Sequence, residues 1–236
     1  MIALVTGANK GIGREIAGQL AALGHTVVIG ARSAELGEKA ASELRAEGAE
    51  ASAVVLDVTD PASVAAAADA LEARHGRIDA LINNAGVSRH QSPGSADLDA
   101  VRQVFETNVF GVITVTNAML PLLRRSSAPR IVNVSSSIGS GTVMSNPDLS
   151  DNYPISADYG PSKAALTALT IQYARELRRE GILVNAICPG YCATDLNGHS
   201  GYRTPAQGAV AAVRMAAAPA DGPTGTFTDD EGPVPW

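Results

Sequence analysis

Short apolar runs rich in β-branched residues recur along the chain, each followed by a longer stretch with helical periodicity. The runs are IALVT (2–6), TVVIG (26–30), SAVVLD (52–57), DALIN (79–83), RIVNVS (130–135), LVNAIC (183–188) and GTFT (225–228). They are apolar nearly throughout, not alternating, as strands buried on both faces of a parallel sheet must be. Between them lie helical patterns at about 12–23, 33–47, 61–75, 98–124, 160–180 and 205–217. Parallel neighbours need long crossover connections, and helices supply them.

The helix ends carry matching punctuation. Gly24, Gly48, Gly76 and Gly181 each follow a helical run, where a left-handed residue closes the last turn. Asp60–Pro61 reads as an N-cap followed by proline at the first helical position, and Thr204–Pro205–Ala206–Gln207 adds a capping-box glutamine. No fixed-period repeat, low-complexity tract or linker interrupts the rhythm. The expectation is a single doubly wound, Rossmann-type α/β domain over residues 1–236, with a parallel sheet of about seven strands and helices on both faces. Aromatic residues are only 4 % against 45 % hydrophobic, so the core is one of Ala, Val, Leu and Ile.

Composition excludes several function classes. The net charge of −6 argues against nucleic acid as a partner, which would need a basic face. No apolar run is long enough to span a bilayer, and Met1 leads straight into a strand with no basic n-region, so neither membrane nor secretion is expected. Cys188 and Cys192 supply neither a disulfide framework nor a zinc ligand set. The four histidines are scattered, so no metal is expected. A cytoplasmic location follows as the expectation. The acidic run 229–231 reads as a solvated loop. Of the two cysteines, one reads as buried and one as a loop residue.

The first strand runs into TGANKGIGREIAGQL. Gly7, Gly11 and Gly13 fall between a strand and a helix, where backbone N–H groups and the helix dipole favour a phosphate. The spacing is neither the general dinucleotide fingerprint nor a Walker A loop, since no Gly-Lys-Ser/Thr comes after it. An acid at the end of the second strand would hold the ribose hydroxyls of NAD. Here Gly30 and Ala31 lead to Arg32, and Lys10 sits inside the glycine loop. Two cations near a ribose favour a 2′-phosphate, and so NADP(H).

Landmarks in order then resemble the short-chain dehydrogenase/reductase family across the whole chain: TGANKGIG (6–13), NNAG (83–86), Asn108, VNVSSSIG (132–139), YGPSK (159–163) and PGYCATD (189–195). The loop NKGIG, CPGYCATDLNG and the terminal GPVPW look most like its carbonyl-reductase branch. The resemblance implies a catalytic set of Asn108, Ser136, Tyr159 and Lys163. It implies a cofactor site of Gly7, Asn9, Lys10, Gly11, Ile12, Gly13, Arg32, Asp57, Val58, Asn84, Ala85, Gly86, Tyr159, Lys163, Pro189, Gly190 and Thr194. Asn83 and Asn84 also read as turn formers, and Thr194 as a cap. The three adjacent serines leave strand alternation to separate Ser136 from Ser135 and Ser137; the family pattern selects Ser136.

The chemistry of the pair Tyr159/Lys163 is consistent with that resemblance. Hydride transfer to a carbonyl builds negative charge on oxygen, so an acid and a hydrogen-bond donor are needed there. A phenol has a pKa near ~10, and a lysine cation about 4 Å away at an effective dielectric of ~20 favours the phenolate by about 4 kcal/mol. Against desolvation, the expectation is a net lowering by about 2–3. Asn108 is expected to hold a water linking Lys163 to solvent. Only Tyr159 among the five tyrosines has a lysine four residues on.

The implied activity is NADPH-dependent reduction of a carbonyl or oxidation of a secondary alcohol. The alternatives are a non-catalytic dinucleotide sensor on the same fold, and enoyl reduction. The segment 140–156, read as a loop, lengthens the gap between Ser136 and Tyr159 and is expected to wall the substrate side. It also leaves monomer or homo-oligomer open. Met144, Tyr153, Tyr191, Leu196 and Tyr202 are candidate apolar walls. Arg89 and His90 either read an anionic substrate or face water.

Overall fold

The structure is a computed structural model that describes residues 1–151 and 153–236. The expected strands form β1 (Ile2–Thr6), β2 (Thr26–Ala31), β3 (Ala51–Val55), β4 (Ala80–Asn83), β5 (Arg130–Val134), β6 (Leu183–Ile187) and β7 (Phe227–Thr228). They make one parallel seven-stranded sheet in the order β3-β2-β1-β4-β5-β6-β7. The helices are α1 (Gly11–Ala22), α2 (Ala34–Ala46), α3 (Pro61–His75), α4 (Leu98–Phe105), α5 (Gly111–Leu123), α6 (Gly141–Met144), α7 (Pro147–Ser150), α8 (Tyr159–Leu177) and α9 (Pro205–Ala216).

Alternate residues of each strand feed opposite layers. Ala3 and Val5 of β1, with Val27 and Ile29 of β2, pack against Ile16 and Leu20 of α1, Leu44 of α2 and Ala212 of α9. Leu4 and Val28 face the other way, onto Leu71 of α3, Met119 of α5 and Leu177 of α8. That two-sided burial is why the strands read as continuous apolar runs. The caps form as expected: Asp60 accepts from the Ala62 N–H at 2.9 Å, and Thr204 and Gln207 close their reciprocal box.

Strand order reverses between β1 and β4, the place where an open α/β sheet leaves a crevice at its carboxyl edge. Gly7 leaves β1 there and Asn84 leaves β4 beside it.

Two expectations are corrected. The pattern over 98–124 is not one helix: a π-turn, Glu106–Phe110, separates α4 from α5. A π-turn inserts one residue and rotates the succeeding helix about its axis. Here it aims Asn108 inward, fully buried, and seats Gly111 on Val58, where a Cβ would come within 2.9 Å of the valine side chain. The segment 140–156 is not wholly loop, since it holds α6 and α7; its Asn152 lies outside the described residues.

Candidate active site

A cleft of about 720 Å³ opens over the β1/β4 switch point. Its cofactor edge is made mostly of backbone. Gly7 and Gly11 both take left-handed conformations, with φ of 62° and 58°. Lys10, the N-cap of α1, supplies no side-chain cap, so the first-turn N–H groups of the helix are left for an anion. A Cβ on Gly13 would lie 2.4 Å from Asn84 Nδ2 and 2.7 Å from the Gly7 carbonyl oxygen.

Asn84 is the strut behind this loop. Its Nδ2 donates to the carbonyl oxygens of Thr6 and Gly7 at 2.9 and 3.2 Å, while the Thr6 hydroxyl accepts from the Asn84 and Ala85 N–H groups. The neighbouring Asn83 is not a turn residue: its buried side chain links Thr116 to Asn133, which donates on to Thr170. Thus β4, β5, α5 and α8 are tied together by one polar chain beneath the cleft.

Asn9, Ile12, Asp57, Val58, Ala85, Gly86, Pro189 and Thr194 line the same cleft. Asp57 Oδ1 accepts from both the N–H and the hydroxyl of Thr59. Gly190 does not line it. Its left-handed turn instead lies against Arg203, whose Cδ would meet an added Cβ at 2.7 Å. Arg203 pairs with Asp230, so the acidic run 229–231 is partly a structural anchor, contrary to the solvated loop expected.

The two cations assigned to the ribose phosphate differ. Arg32 is exposed on the cleft with no carboxylate partner among the described residues. Lys10 instead reaches across the mouth to Asp195, which also receives His199 Nε2 at 2.8 Å. Sequence reasoning missed Asp195, His199 and Thr107 as cleft residues. Asp195 stood in a quoted motif, but nothing local marks an aspartate for a partner 185 positions away.

At the inner end, Tyr159 opens α8 and Lys163 comes one turn later, with its Nζ 5.5 Å from the phenol ring centroid. Lys163 is buried and donates to the Val134 carbonyl oxygen at 2.8 Å. Ser136 lies near enough to Tyr159 to lower its phenol pKa, while Ser136 Oγ accepts from the Ile138 N–H at 3.4 Å; Ser136 does not line the cleft. Ser135 turns away to the Lys163 carbonyl oxygen, and Ser137 pairs with the Tyr153 hydroxyl at 2.8 Å. All three serines lie beyond the end of β5 at Val134, so strand alternation does not reach them, and it is their partners that differ.

The electrostatics depart from expectation. Burial pushes the Tyr159 phenol above its ordinary range, the Cys188 sulfur adds to this, and the Ser136 bond only partly opposes it. Burial likewise holds Lys163 down, to about 8. Desolvation disfavours both charged forms, and it outweighs the attraction that was expected to lower the tyrosine. Tyr159 thus keeps its proton at neutral pH, the state of a general acid.

Asn108 lines no part of the cleft. Its Oδ1 accepts from the Val87 N–H at 2.9 Å; its Nδ2 donates to the Val87 carbonyl oxygen at 2.9 Å and to Ser162 Oγ at 3.0 Å. The side chain joins the 84–91 loop to α8 and makes no direct hydrogen bond with Lys163 among the described residues.

Of the five candidate apolar walls, only Leu196 lines the cleft among the described residues. Tyr202 is 84 % exposed and tilts its ring toward Tyr191 at 6.2 Å between centroids. Both cysteines are buried and free; Cys192 lies in the loop between β6 and α9, with its Sγ donating to the Pro189 carbonyl oxygen. No helix among the described residues is long and apolar enough to cross a membrane.

Comparison with known proteins agrees with this geometry. The family model described as short chain dehydrogenase matches residues 1–203. Short-chain dehydrogenase/reductase 1 of Saponaria officinalis is 34 % identical over 281 residues, covering 95 % of this chain and 92 % of the relative. Carbonyl reductase 1 (NADPH) of Rattus norvegicus is 34 % identical over 276 residues, covering 100 % of this chain and 98 % of the relative. Among solved structures, NADPH-bound carbonyl reductase from chicken fatty liver superposes with a TM-score of 0.88 at 29 % identity, covering 99 % of this chain and 98 % of that one.

Proposed function

This chain belongs to the short-chain dehydrogenase family, and from that premise we propose that it is an NADP(H)-dependent carbonyl reductase acting through Ser136, Tyr159 and Lys163. The observation that supports it most is that Tyr159 and Lys163 line the glycine-rich cleft one helical turn apart, with Ser136 near enough to the phenol to act on its pKa. The residues present suit the cofactor: a Cβ-intolerant cradle at Gly7 and Gly13, open helix N–H groups, and Arg32 for a 2′-phosphate. When bound, NADPH supplies the hydride that reduces C=O to CH–OH.

The chain's own side chains handle the proton and the charge. Tyr159 donates its hydroxyl proton to the carbonyl oxygen, and the high phenol pKa keeps that proton available at neutral pH. Ser136 donates a hydrogen bond to the same oxygen and stabilises the charge that develops on it. Lys163 would hold the ribose, and its cation beside the phenolate left after transfer lowers the cost of that ion. Asn108 keeps the 84–91 loop seated on α8.

Tyr159→Phe removes only the acid. Oxidation of NADPH by wild type on acetophenone, cyclohexenone and menadione is expected to fall at least about 100-fold in the variant, with NADPH affinity within about twofold. Undiminished turnover in Tyr159→Phe would remove the proposed mechanism. An inert wild type that still binds NADPH would favour a dinucleotide sensor.

A further inference from the structure

Two features of the substrate side have no role in the chemistry above: a fully buried carboxylate, Asp158, and a left-handed histidine, His90 (φ 53°). They meet. Asp158 Oδ2 accepts from the Arg89 N–H at 2.6 Å and Oδ1 from the Gln91 N–H at 3.3 Å. His90 stands between those two amides, and one left-handed residue turns flanking N–H groups toward a common anion. The anion here is the chain's own.

The same carboxylate takes a third donor, the Ser156 hydroxyl, at 2.6 Å. Ser156 Oγ in turn accepts from the Tyr159 N–H at 2.9 Å and the Gly160 N–H at 3.4 Å, capping the catalytic helix from outside. A further strand-like bond, from the Ala157 N–H to the Gln91 carbonyl oxygen at 2.8 Å, runs alongside. The carboxylate is therefore satisfied by neutral donors, with no ion pair among the described residues. Burial by itself would raise its pKa, but the donors outweigh burial and hold it below the usual carboxylate range.

We propose that Asp158 is a positioning residue: it fixes residues 89–91 against the turn that presents Tyr159, and so sets the substrate wall relative to the acid. The inference rests on the carbonyl-reductase reading for its kinetic consequence but not for its structural one. The loop 84–91 is held at two points. Asn108 grips Val87 and reaches Ser162, and Asp158 grips Arg89 and Gln91 from the residue before Tyr159. Between the grips, Val87, Ser88 and Arg89 line the cleft. Losing the Asn108 grip frees the cofactor-side half of the loop; losing the Asp158 grip frees the half nearest the substrate.

Asp158→Asn keeps the size and one acceptor oxygen but loses the charge that gathers both amides. With acetophenone, cyclohexenone or menadione, whichever wild type reduces, KM for the carbonyl is expected to rise at least about tenfold, with the NADPH dissociation constant within about twofold. A lowered melting temperature with unchanged KM and kcat would make the role purely structural and overturn the proposal. Hydrogen exchange on the wild-type protein gives a second test that needs no variant. The Arg89 and Gln91 amides should exchange at least about 100-fold more slowly than free peptide; exchange at the free rate would also overturn the proposal. If wild type reduces none of the three carbonyls, the proposed function fails while the exchange test still decides Asp158.

Discussion

The two edges of the cleft are built by opposite means. On the cofactor edge the contact surface is backbone: Gly7, Gly11 and Gly13 bring main chain to the surface, and one asparagine, Asn84, props it from behind. On the substrate edge the chain runs through irregular segments, and side chains reach out to hold them: Asn108 and Asp158 on the 84–91 loop, Tyr153 on Ser137, Arg203 on Asp230. The first design fits one ligand whose phosphates are always in the same place. The second allows wall segments to differ while the acid stays fixed, because the clamps on the 84–91 loop act on backbone amides and not on particular side chains.

The comparison breaks most sharply at the point where both edges depend on one glycine. Gly139 closes the turn after Ser136, and an added Cβ would fall 2.6 Å from the Lys163 carbonyl carbon and 2.7 Å from the Ala164 nitrogen. Those are backbone atoms of α8 and have no rotamer to give. Gly139→Ala is expected to cost about 1–3 kcal/mol of stability by overpacking. It should also displace Ser136 from Tyr159, lowering kcat about 100-fold, since a shift near ~1 Å is enough. Thermal melting with steady-state kinetics checks both.

The cofactor edge alone is tested by its two cations. Arg32 has no carboxylate partner among the described residues, whereas Lys10 is already joined to Asp195. Arg32→Ala should weaken NADPH binding about 10–100-fold while leaving NADH nearly untouched, as loss of a charge-assisted bond to the 2′-phosphate requires. Lys10→Ala should change NADPH affinity less than about threefold, because its exposed pairing is worth little. Equal effects would erase the distinction between the two. Fluorescence titration with both cofactors reads this directly.

A smaller effect belongs to the substrate edge. Lys163, held down to about 8 by burial, is protonated below that pH and neutral above it. The protonated form is the one that stabilises the phenolate, so kcat/KM for NADPH, which reports the free enzyme, should be flat toward acid and fall as pH rises through about 8. A profile level to about pH 10, near the ordinary lysine value, would place the lysine in a more solvated site than the structure gives it.

The same contrast explains what was legible in the sequence. The strands, the helix caps and the glycine loop follow from local rules, with periodicity for IALVT and steric need for Gly7, and they form where expected. What was hidden depends on partners far away in sequence. The π-turn at 106–110 lies in a stretch of ordinary helical pattern, and the partners of its Asn108, Val87 and Ser162, are distant in sequence. The pairing of Lys10 with Asp195 was not legible because the two lie 185 positions apart. The direction of the tyrosine shift differs from expectation for a related reason: spacing reveals the cation, but only the fold reveals how deeply both groups are desolvated.

The central claim is that Tyr159 serves hydride delivery to a carbonyl carbon. It is tested most directly with NADPH deuterated at the nicotinamide C4 and cyclohexenone as acceptor. The expected product is the allylic alcohol with deuterium on the carbinol carbon, formed by wild type and lost in Tyr159→Phe. Deuterium on the β-carbon of a saturated ketone, formed equally by both proteins, would contradict the account.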